Sequence, residues 1–356
     1  MISKIDPAAI LEGIRSRTNF FHPPAAFDPL KASAAELLRY GFSLEPDPAR
    51  AADRHASWIR LFSQKLNFVA ADFALPSLSE FQRPGRRRQP AVGRRHHEKS
   101  LNWCGAYVTA KGGRRFSEIH ADWVVPQPDP PTRPGSGVAL DGDYRSSTWI
   151  GFDGQRRYRN SSLPQIGTAQ EVVVVNGQPT RKIYAWVQWW VGDHMSVPVV
   201  LSSLPIRAGD QVMCSMVVMH DTAVRFYIKN QTTGAFIAPF EQRAPLFHPP
   251  DGGRPVQLKV SGATAQWIME RPAALTAGHH LYELPKYGKV TFRNCYAVSS
   301  SPAGTEEHPE RLSGARLINM RTTRKNPHRS AIISRSKHQN IQEVAVSYSD
   351  RGIVAS

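Results

Sequence analysis

Short runs of alternating apolar and polar residues, separated by Gly, Pro, Asn and Asp, dominate this chain from about residue 100 onward. In the clearest run, residues 118–125, Glu118, His120 and Asp122 alternate with apolar side chains, the pattern of a strand with one buried face. Almost no helical periodicity interrupts these runs. They predict an all-β fold, a β-sandwich of antiparallel sheets.

Further strands are predicted wherever apolar or alternating runs lie between turn residues. Asn176-Gly177 follows a run of valines and predicts a tight hairpin turn. The predicted strands are 148–152, 171–175, 182–191, 211–219, 224–230, 256–260, 265–270 and 289–298.

The first 81 residues carry helical signals instead. Ser33 and Glu36 have the spacing of a capping box ahead of two leucines. Asp47-Pro48 is predicted to begin a second helix, with Trp58 on its apolar side. We interpret residues 1–81 as a short helical N-terminal extension, and three roles stay open: an ordered accessory cap, a removable pro-segment or an interaction arm.

The other boundaries follow from composition. Residues 82–101 combine Pro, Gly and clustered basic residues, which cannot bury a core. We therefore predict a mobile basic junction there, the β-sandwich at 102–349 and a tail at 350–356.

The chain is basic, with 45 Lys and Arg against 29 Asp and Glu. Such a charge is typical of nucleic-acid binding, but the basic runs lack interleaved aromatic residues and a recognition motif. We interpret them as solvated loops and do not expect nucleic acid as a partner. The residues in question are Arg83, Arg86, Arg87, Arg88, Arg94, Arg95 and the stretch 311–337.

The sequence gives two indications of where in the cell the protein is located. No run approaches the roughly 18 apolar residues of a membrane-spanning helix, so no membrane partner is expected. Asp6 and Glu12 interrupt the segment where an export signal would be apolar. The default expectation is a cytoplasmic monomer, with export by another route left open.

The sequence contains no recognised motif for binding a metal or a cofactor. The three cysteines make no C-x-x-C spacing, and the nucleotide-binding and zinc-peptidase strings are missing. The pairs His96-His97 and His279-His280 have no third ligand at zinc-site spacing. We expect neither a metal nor a cofactor.

The strand predicted at 182–191 is unusually aromatic. Period two places Tyr184, Trp186, Gln188 and Trp190 on one face, and smaller apolar residues with one further tryptophan on the other. The first face suits a binding cleft. Filling of a core is an equally good interpretation of this strand alone.

Seven short motifs give this pattern a context, because together and in order they resemble those of the eqolisin family of glutamic peptidases. The resemblance runs from about residue 102 to 348. The motifs are N-W-C-G-A at 102–106, T-W-I-G-F-D-G at 148–154, L-P-Q-I-G at 163–167, A-W-V-Q-W at 185–189, A-G-D at 208–210, N-Q-T-T-G at 230–234 and A-Q-W-I-M-E at 265–270.

The resemblance implies a concanavalin-like sandwich of two antiparallel sheets of about seven strands, with a substrate cleft on one face. It also implies an endopeptidase acting on polypeptides, with Gln165 and Glu270 as the catalytic dyad. A carboxylate can take a proton from the attacking water and return it to the leaving nitrogen. A neutral amide can stabilise the oxyanion, so the mechanism needs no metal or covalent intermediate.

The same resemblance implies which residues contact substrate. At two positions this chain differs from the family pattern. The family has glutamate where this chain has Gln188 and Gln266, so we expect activity closer to neutral pH than in acidic relatives. A noncatalytic sandwich that binds a peptide or carbohydrate in a Trp-lined cleft is the alternative. The implied substrate-contacting residues are Trp103, Trp149, Asp153, Trp186, Gln188 and Trp190.

Overall fold

The structure is a computed structural model. The ranges that it describes are 6–64, 66–76, 82–83, 97–133, 135–154, 162–191, 196–249, 252–274, 281–301, 306–322 and 331–349. The tail, most of the basic junction and His279-His280 therefore lie outside the described residues.

In the described part of the N-terminal extension there are three helices: α1 (Pro7–Ser16), α2 (Ala34–Arg39) and α3 (Ala52–Ser63). The capping box predicted for α2 is present. The predicted start of the second helix was wrong, because Asp47 accepts from Ala49 in a turn and the helix begins five residues later. Helix α1 was not predicted, although Asp6 caps it and Pro7 opens it.

None of the helices in the described ranges is long and apolar enough to cross a membrane. Strands make up most of the remaining structure, in short segments joined by turns. They are β1 (Thr18–Phe20), β2 (Asn67–Val69), β3 (Phe73–Ala74), β4 (Gln82–Arg83), β5 (His97–Ser100), β6 (Trp103–Thr109), β7 (Arg115–Val124), β8 (Gly142–Phe152), β9 (Leu163–Val175), β10 (Gln178–Trp190), β11 (Val199–Leu201), β12 (Gln211–His220), β13 (Ala223–Asn230), β14 (Ala235–Ile237), β15 (Phe240–Arg243), β16 (Leu246–Phe247), β17 (Val256–Gln257), β18 (Thr264–Glu270), β19 (Ala273–Ala274), β20 (Lys289–Ser300), β21 (Glu307–Glu310), β22 (Arg316–Arg321), β23 (Ile332–Asn340) and β24 (Glu343–Tyr348).

Two predominantly antiparallel sheets pack face to face, as the all-β prediction required. In the first, here the cleft sheet, the strands follow the order β3, β11, β10, β9, β8, β18, β6, β22, β23, β24 and the first half of β20. In the second, here the outer sheet, they follow β1, β15, β13, β12, β7, the second half of β20 and β21.

The main core lies between these sheets. Alternate residues of β10, β8 and β18 face it, including Val187, Ile150 and Trp267, and meet Ala121 and Phe226 from the outer sheet. The Trp267 indole donates to the main-chain oxygen of His120 at 2.9 Å. The opposite faces of both sheets therefore point away from this core.

The N-terminal extension covers the outward face of the outer sheet. Trp58 and Phe62 of α3 belong to a second apolar cluster with Met213 and Tyr227 of that sheet. Strands β1 and β3 extend the edges of the outer and cleft sheets, respectively. Helices α2 and α3 thus lie on the far side of the sandwich from the outward face of the cleft sheet, whereas Ile10 and Ile14 of α1 belong to the main core.

Most predicted strands are present, with differences at their ends. The turn at Asn176-Gly177 joins β9 to β10, and both residues have positive φ, as the hairpin requires. Strand β9 begins at Leu163, eight residues earlier than predicted. The strand predicted at 256–260 is shorter, and the end of the junction, from His97, forms β5 in the cleft sheet.

Candidate active site

The expected dyad residues lie on one face of the cleft sheet. Gln165 of β9 is directly opposite Gly151 of β8, and Glu270 of β18 is opposite Ser147 of β8. Side chains alternate along strands, and the intervening Ile150 belongs to the core between the sheets. Gln165 and Glu270 therefore both point away from that core.

Two neutral donors hold the Glu270 carboxylate. The Trp149 indole Nε1 donates to Oε2 at 2.9 Å, and the Asn102 amide Nδ2 donates to Oε1 at 3.2 Å. Asn102 is itself oriented, because its Oδ1 accepts from the Ser100 hydroxyl at 3.0 Å. These bonds fix the position of the carboxylate, and the residue as a whole is 2% exposed.

The Trp149 ring lies between the two residues of the expected dyad. A Cβ placed on Gly151 would meet the six-membered ring of Trp149 at 3.1 Å and the Cβ of Gln165 at 3.2 Å. The other end of the same indole reaches Glu270. On the neighbouring strand, a Cβ on Gly167 would stand 2.7 Å from the Trp149 Cα, so glycine is required where the strands approach the ring.

Gln165 is held by its cross-strand partner Gln188. Its Nε2 donates to Gln188 Oε1 at 2.8 Å, and Gln188 Nε2 donates to the main-chain oxygen of Ser196. Both side chains are buried, and Gln165 Oε1 has no hydrogen-bond partner among the described residues.

Aromatic side chains surround this pair, as the sequence led us to expect. Trp103 and Trp149 meet edge to face with ring centroids 5.3 Å apart, and both belong to one apolar cluster with Trp186 and the half-buried Trp190. On the predicted cleft face of β10, Trp186 and Gln188 are buried, and Trp103 and Trp149 on neighbouring strands are buried as well. Trp103 Nε1 and Trp186 Nε1 have no partner in the part of the chain that the structure describes.

The prediction that Asp153 contacts substrate does not fit the structure. The residue is fully buried, and its carboxylate accepts from the main-chain N–H groups of Ser261, Gly262 and Ala263 and from the Ser261 hydroxyl. Burial raises the pKa of this carboxyl, while the hydrogen bonds, that of Ser261 foremost, oppose the rise. These hydrogen bonds fix the turn that leads into β18.

The sequence analysis did not assign a role to Asn102 or Ser196. Asn102 is the first residue of the first recognised motif, so the sequence did contain an indication that it belongs to the site. The main-chain oxygen of Ser196 carries no side-chain signal, and its contact with Gln188 depends on the path of the chain between β10 and β11.

No group of three or more His, Cys, Asp or Glu residues is placed to hold a metal ion within the described ranges. The side chains of the two His-His pairs are not among those described.

The site thus belongs to an antiparallel β-sandwich with a buried carboxylate and a buried amide on one aromatic face. The Peptidase A4 family model matches residues 101–348. The chain belongs to this family, the eqolisins, and is a glutamic-type peptidase.

Comparison with solved structures finds several similar chains, and the first of them agrees on the fold. Scytalido-glutamic peptidase with a transition-state analogue inhibitor is 18% identical, with a TM-score of 0.50, and the match covers 70% of this chain and 98% of that one. Eqolisin SCP-B in complex with the tripeptide Ala-Ile-His is 16% identical, with a TM-score of 0.46 and coverage of 70% and 98%. Aspergilloglutamic peptidase from Aspergillus niger is 19% identical, with a TM-score of 0.42 and coverage of 58% and 99%. Comparison with curated proteins gives no match.

Proposed function

We propose that this chain is an endopeptidase that hydrolyses peptide bonds with Gln165 and Glu270. The observation that carries the proposal is the placement of these two side chains on one buried face, on either side of the Trp149 indole. Membership of the Peptidase A4 family favours this function over noncatalytic binding of a peptide or carbohydrate.

In the proposed reaction, ionised Glu270 takes a proton from a water molecule, whose oxygen attacks the peptide carbonyl carbon. Gln165 gives one N–H to Gln188, so its second N–H is available to donate to the oxyanion. Glu270 then returns the proton to the leaving nitrogen as the C–N bond breaks.

Unpartnered polar groups support a polypeptide substrate. Trp103 Nε1 and Trp186 Nε1 are buried donors, and Gln165 Oε1 is a buried acceptor, without partners in the described part of the chain. Buried polar groups are nearly always hydrogen-bonded. A peptide backbone, which offers both carbonyl oxygens and N–H groups, could satisfy both kinds.

The test is Glu270→Gln, which preserves the shape of the side chain and removes its basicity. We expect hydrolysis of a denatured protein, followed by mass spectrometry from pH 2 to 8, to disappear. Glu241→Gln is the matched control, since Glu241 pairs with Arg225 on the outer sheet; it should remain active. An active Glu270→Gln variant would exclude the mechanism.

A further inference from the structure

The orientation of the Gln165 amide is set by a chain of hydrogen bonds that begins at a main-chain oxygen. A carbonyl oxygen can only accept. Gln188 must therefore turn its NH₂ group toward Ser196, which leaves Gln188 Oε1 facing Gln165. Gln165 must in turn present Nε2 to that oxygen, so its two amide atoms cannot exchange places without losing a bond.

Burial makes this orientation costly to disturb. Gln165 is 0% and Gln188 is 4% exposed, so little water is available to replace a lost partner. Leaving a buried polar group without a partner costs about 1–3 kcal/mol. A reversed Gln165 amide would bring two oxygens together and would turn an acceptor toward the developing oxyanion.

We propose that Gln188 is a positioning residue, which fixes the amide of Gln165 in its donating orientation and does so independently of pH. This inference rests on the proposed function and extends it to a residue that acts through Gln165. The amide of Gln188 does not titrate, so the chain Gln165–Gln188–Ser196 has the same donors and acceptors in acid and at neutrality.

A carboxylate at position 188 would behave differently. When protonated, its hydroxyl could donate to Ser196 and its carbonyl oxygen could accept from Gln165, as the amide does now. When ionised, it would place an acceptor against the Ser196 oxygen. Its other oxygen would still accept from Gln165, but repulsion at Ser196 would displace the side chain, so a variant with glutamate there should hold Gln165 in its present position only in acid.

Other ionisable groups around the site do not change in that variant. Glu270 lies on the same face, as do Glu171, Arg145 and Tyr184, which interact with one another. Among the described residues, the other ionisable groups near the site are Tyr107 with Glu98 on the cleft sheet, and Arg17 and His248 in the groove that Ser196 also lines. A difference between wild type and the variant can thus be assigned to position 188.

The experiment compares kcat and KM for a fluorogenic peptide from pH 2 to 8 in wild type, Gln188→Glu and Gln188→Met. We expect Gln188→Glu to match wild type in acid and to lose kcat at a lower pH than wild type does, with little change in KM. Gln188→Met should lose kcat by about 10- to 100-fold at every pH, less than the roughly 10²- to 10³-fold loss on removal of an oxyanion donor itself.

Gln170→Glu is the matched control. Gln170 is a buried glutamine on β9, the strand of Gln165, and its amide also donates one hydrogen bond and accepts another, but it points to the opposite face of the sheet. Thermal unfolding of every variant at each pH separates loss of folding from loss of kcat. The control should lose stability without moving the basic limb of the kcat profile.

Unchanged kcat profiles in both Gln188 variants would overturn the inference, as would an equal shift in Gln170→Glu. If these results came with an inactive Glu270→Gln variant, the proposed function would stand and only the role of Gln188 would fail. An active Glu270→Gln variant, or a wild type without hydrolytic activity, would overturn both.

Discussion

The indole of Trp149 donates a hydrogen bond to the carboxylate of Glu270 at 2.9 Å, across 121 positions of sequence. The same ring reaches the Gln165 side of the site. Trp149 therefore has two separable contributions, the N–H that holds the carboxylate and the ring that fills the space between the two polar residues.

Replacing Trp149 by Phe separates these contributions, because most of the ring remains and the donor is lost. We expect kcat to fall by about tenfold or more, since a hydrogen bond to a charged group contributes about 1.5–3 kcal/mol. Steady-state kinetics on a fluorogenic peptide provide the measurement. Trp189→Phe is the control, because Trp189 faces the core and its Nε1 has no partner among the described residues; an equal loss of kcat there would argue against a specific role for the indole N–H.

Removal of the Gln165 amide should lower kcat more than removal of the Trp149 indole N–H does. For Gln165→Ala we expect a loss of about 10² to 10³ in kcat, the usual scale for one oxyanion donor. The free energy of unfolding should fall as well, because the buried Gln188 oxygen loses its donor. Kinetics and denaturant unfolding on the same samples test both parts, and full activity would show that Gln165 is not the donor.

We propose that the N-terminal extension is an ordered part of the folded enzyme, docked on the outer sheet. Arg54 of α3 contacts Glu118 of β7 at 2.6 Å, Lys229 donates to the main-chain oxygen of Leu61 at 2.8 Å, and Tyr227 donates to that of Gly41 at 2.8 Å. Removal of the extension would leave these buried groups of the outer sheet without their partners.

Arg54→Met should therefore destabilise the protein by about 3–5 kcal/mol, because Glu118 keeps a buried charge without its cation. Adding Glu118→Met should recover much of the loss. Thermal unfolding of the single and double variants, with limited proteolysis between residues 6 and 76, tests this docking. A protein beginning at residue 97 that unfolds at the wild-type temperature would show instead that the extension is dispensable.

Individual strands show which structural features could be predicted from the sequence and which could not. Alternation at 118–125 was enough to define the inner face of β7, but it could not show that Glu118 and His120 are covered by the extension and not exposed to solvent. Pro164 and Gly167 have low strand propensity, and they obscured the start of β9. Gly167 is needed there, because a Cβ at that position would stand 2.7 Å from the Trp149 Cα.

The expected dyad came from the order of motifs, not from local pattern. Contacts such as those of Asn102 with Glu270 join residues 168 positions apart, and the alternation of one strand carries no information about which distant strand lies beside it. Asp153 shows the converse: a polar residue within a recognised motif can serve a turn instead of substrate.

The last prediction concerns stability in acid and centres on His120. This side chain is buried beneath the extension and stacks on Tyr296 with centroids 5.1 Å apart. Burial, and then the positive charge of Arg60, lower the pKa of His120 from 6.5 to about 3. Between those two pH values the unfolded chain binds a proton that the folded chain does not. The contribution of His120 to stability is therefore fully present above about pH 6.5 and is lost as the pH falls toward 3.

Glu118 and Asp122 act in the opposite sense, because burial raises the pKa of both carboxyls and so favours the folded state in acid. The effect of His120 must be isolated by comparison with His120→Gln, which does not titrate. We expect the stability of wild type relative to this variant to fall by about 3 kcal/mol between pH 7 and pH 4, measured by denaturant unfolding at each pH. If the two proteins lost stability in parallel over this range, His120 would not be a neutral base in the folded protein.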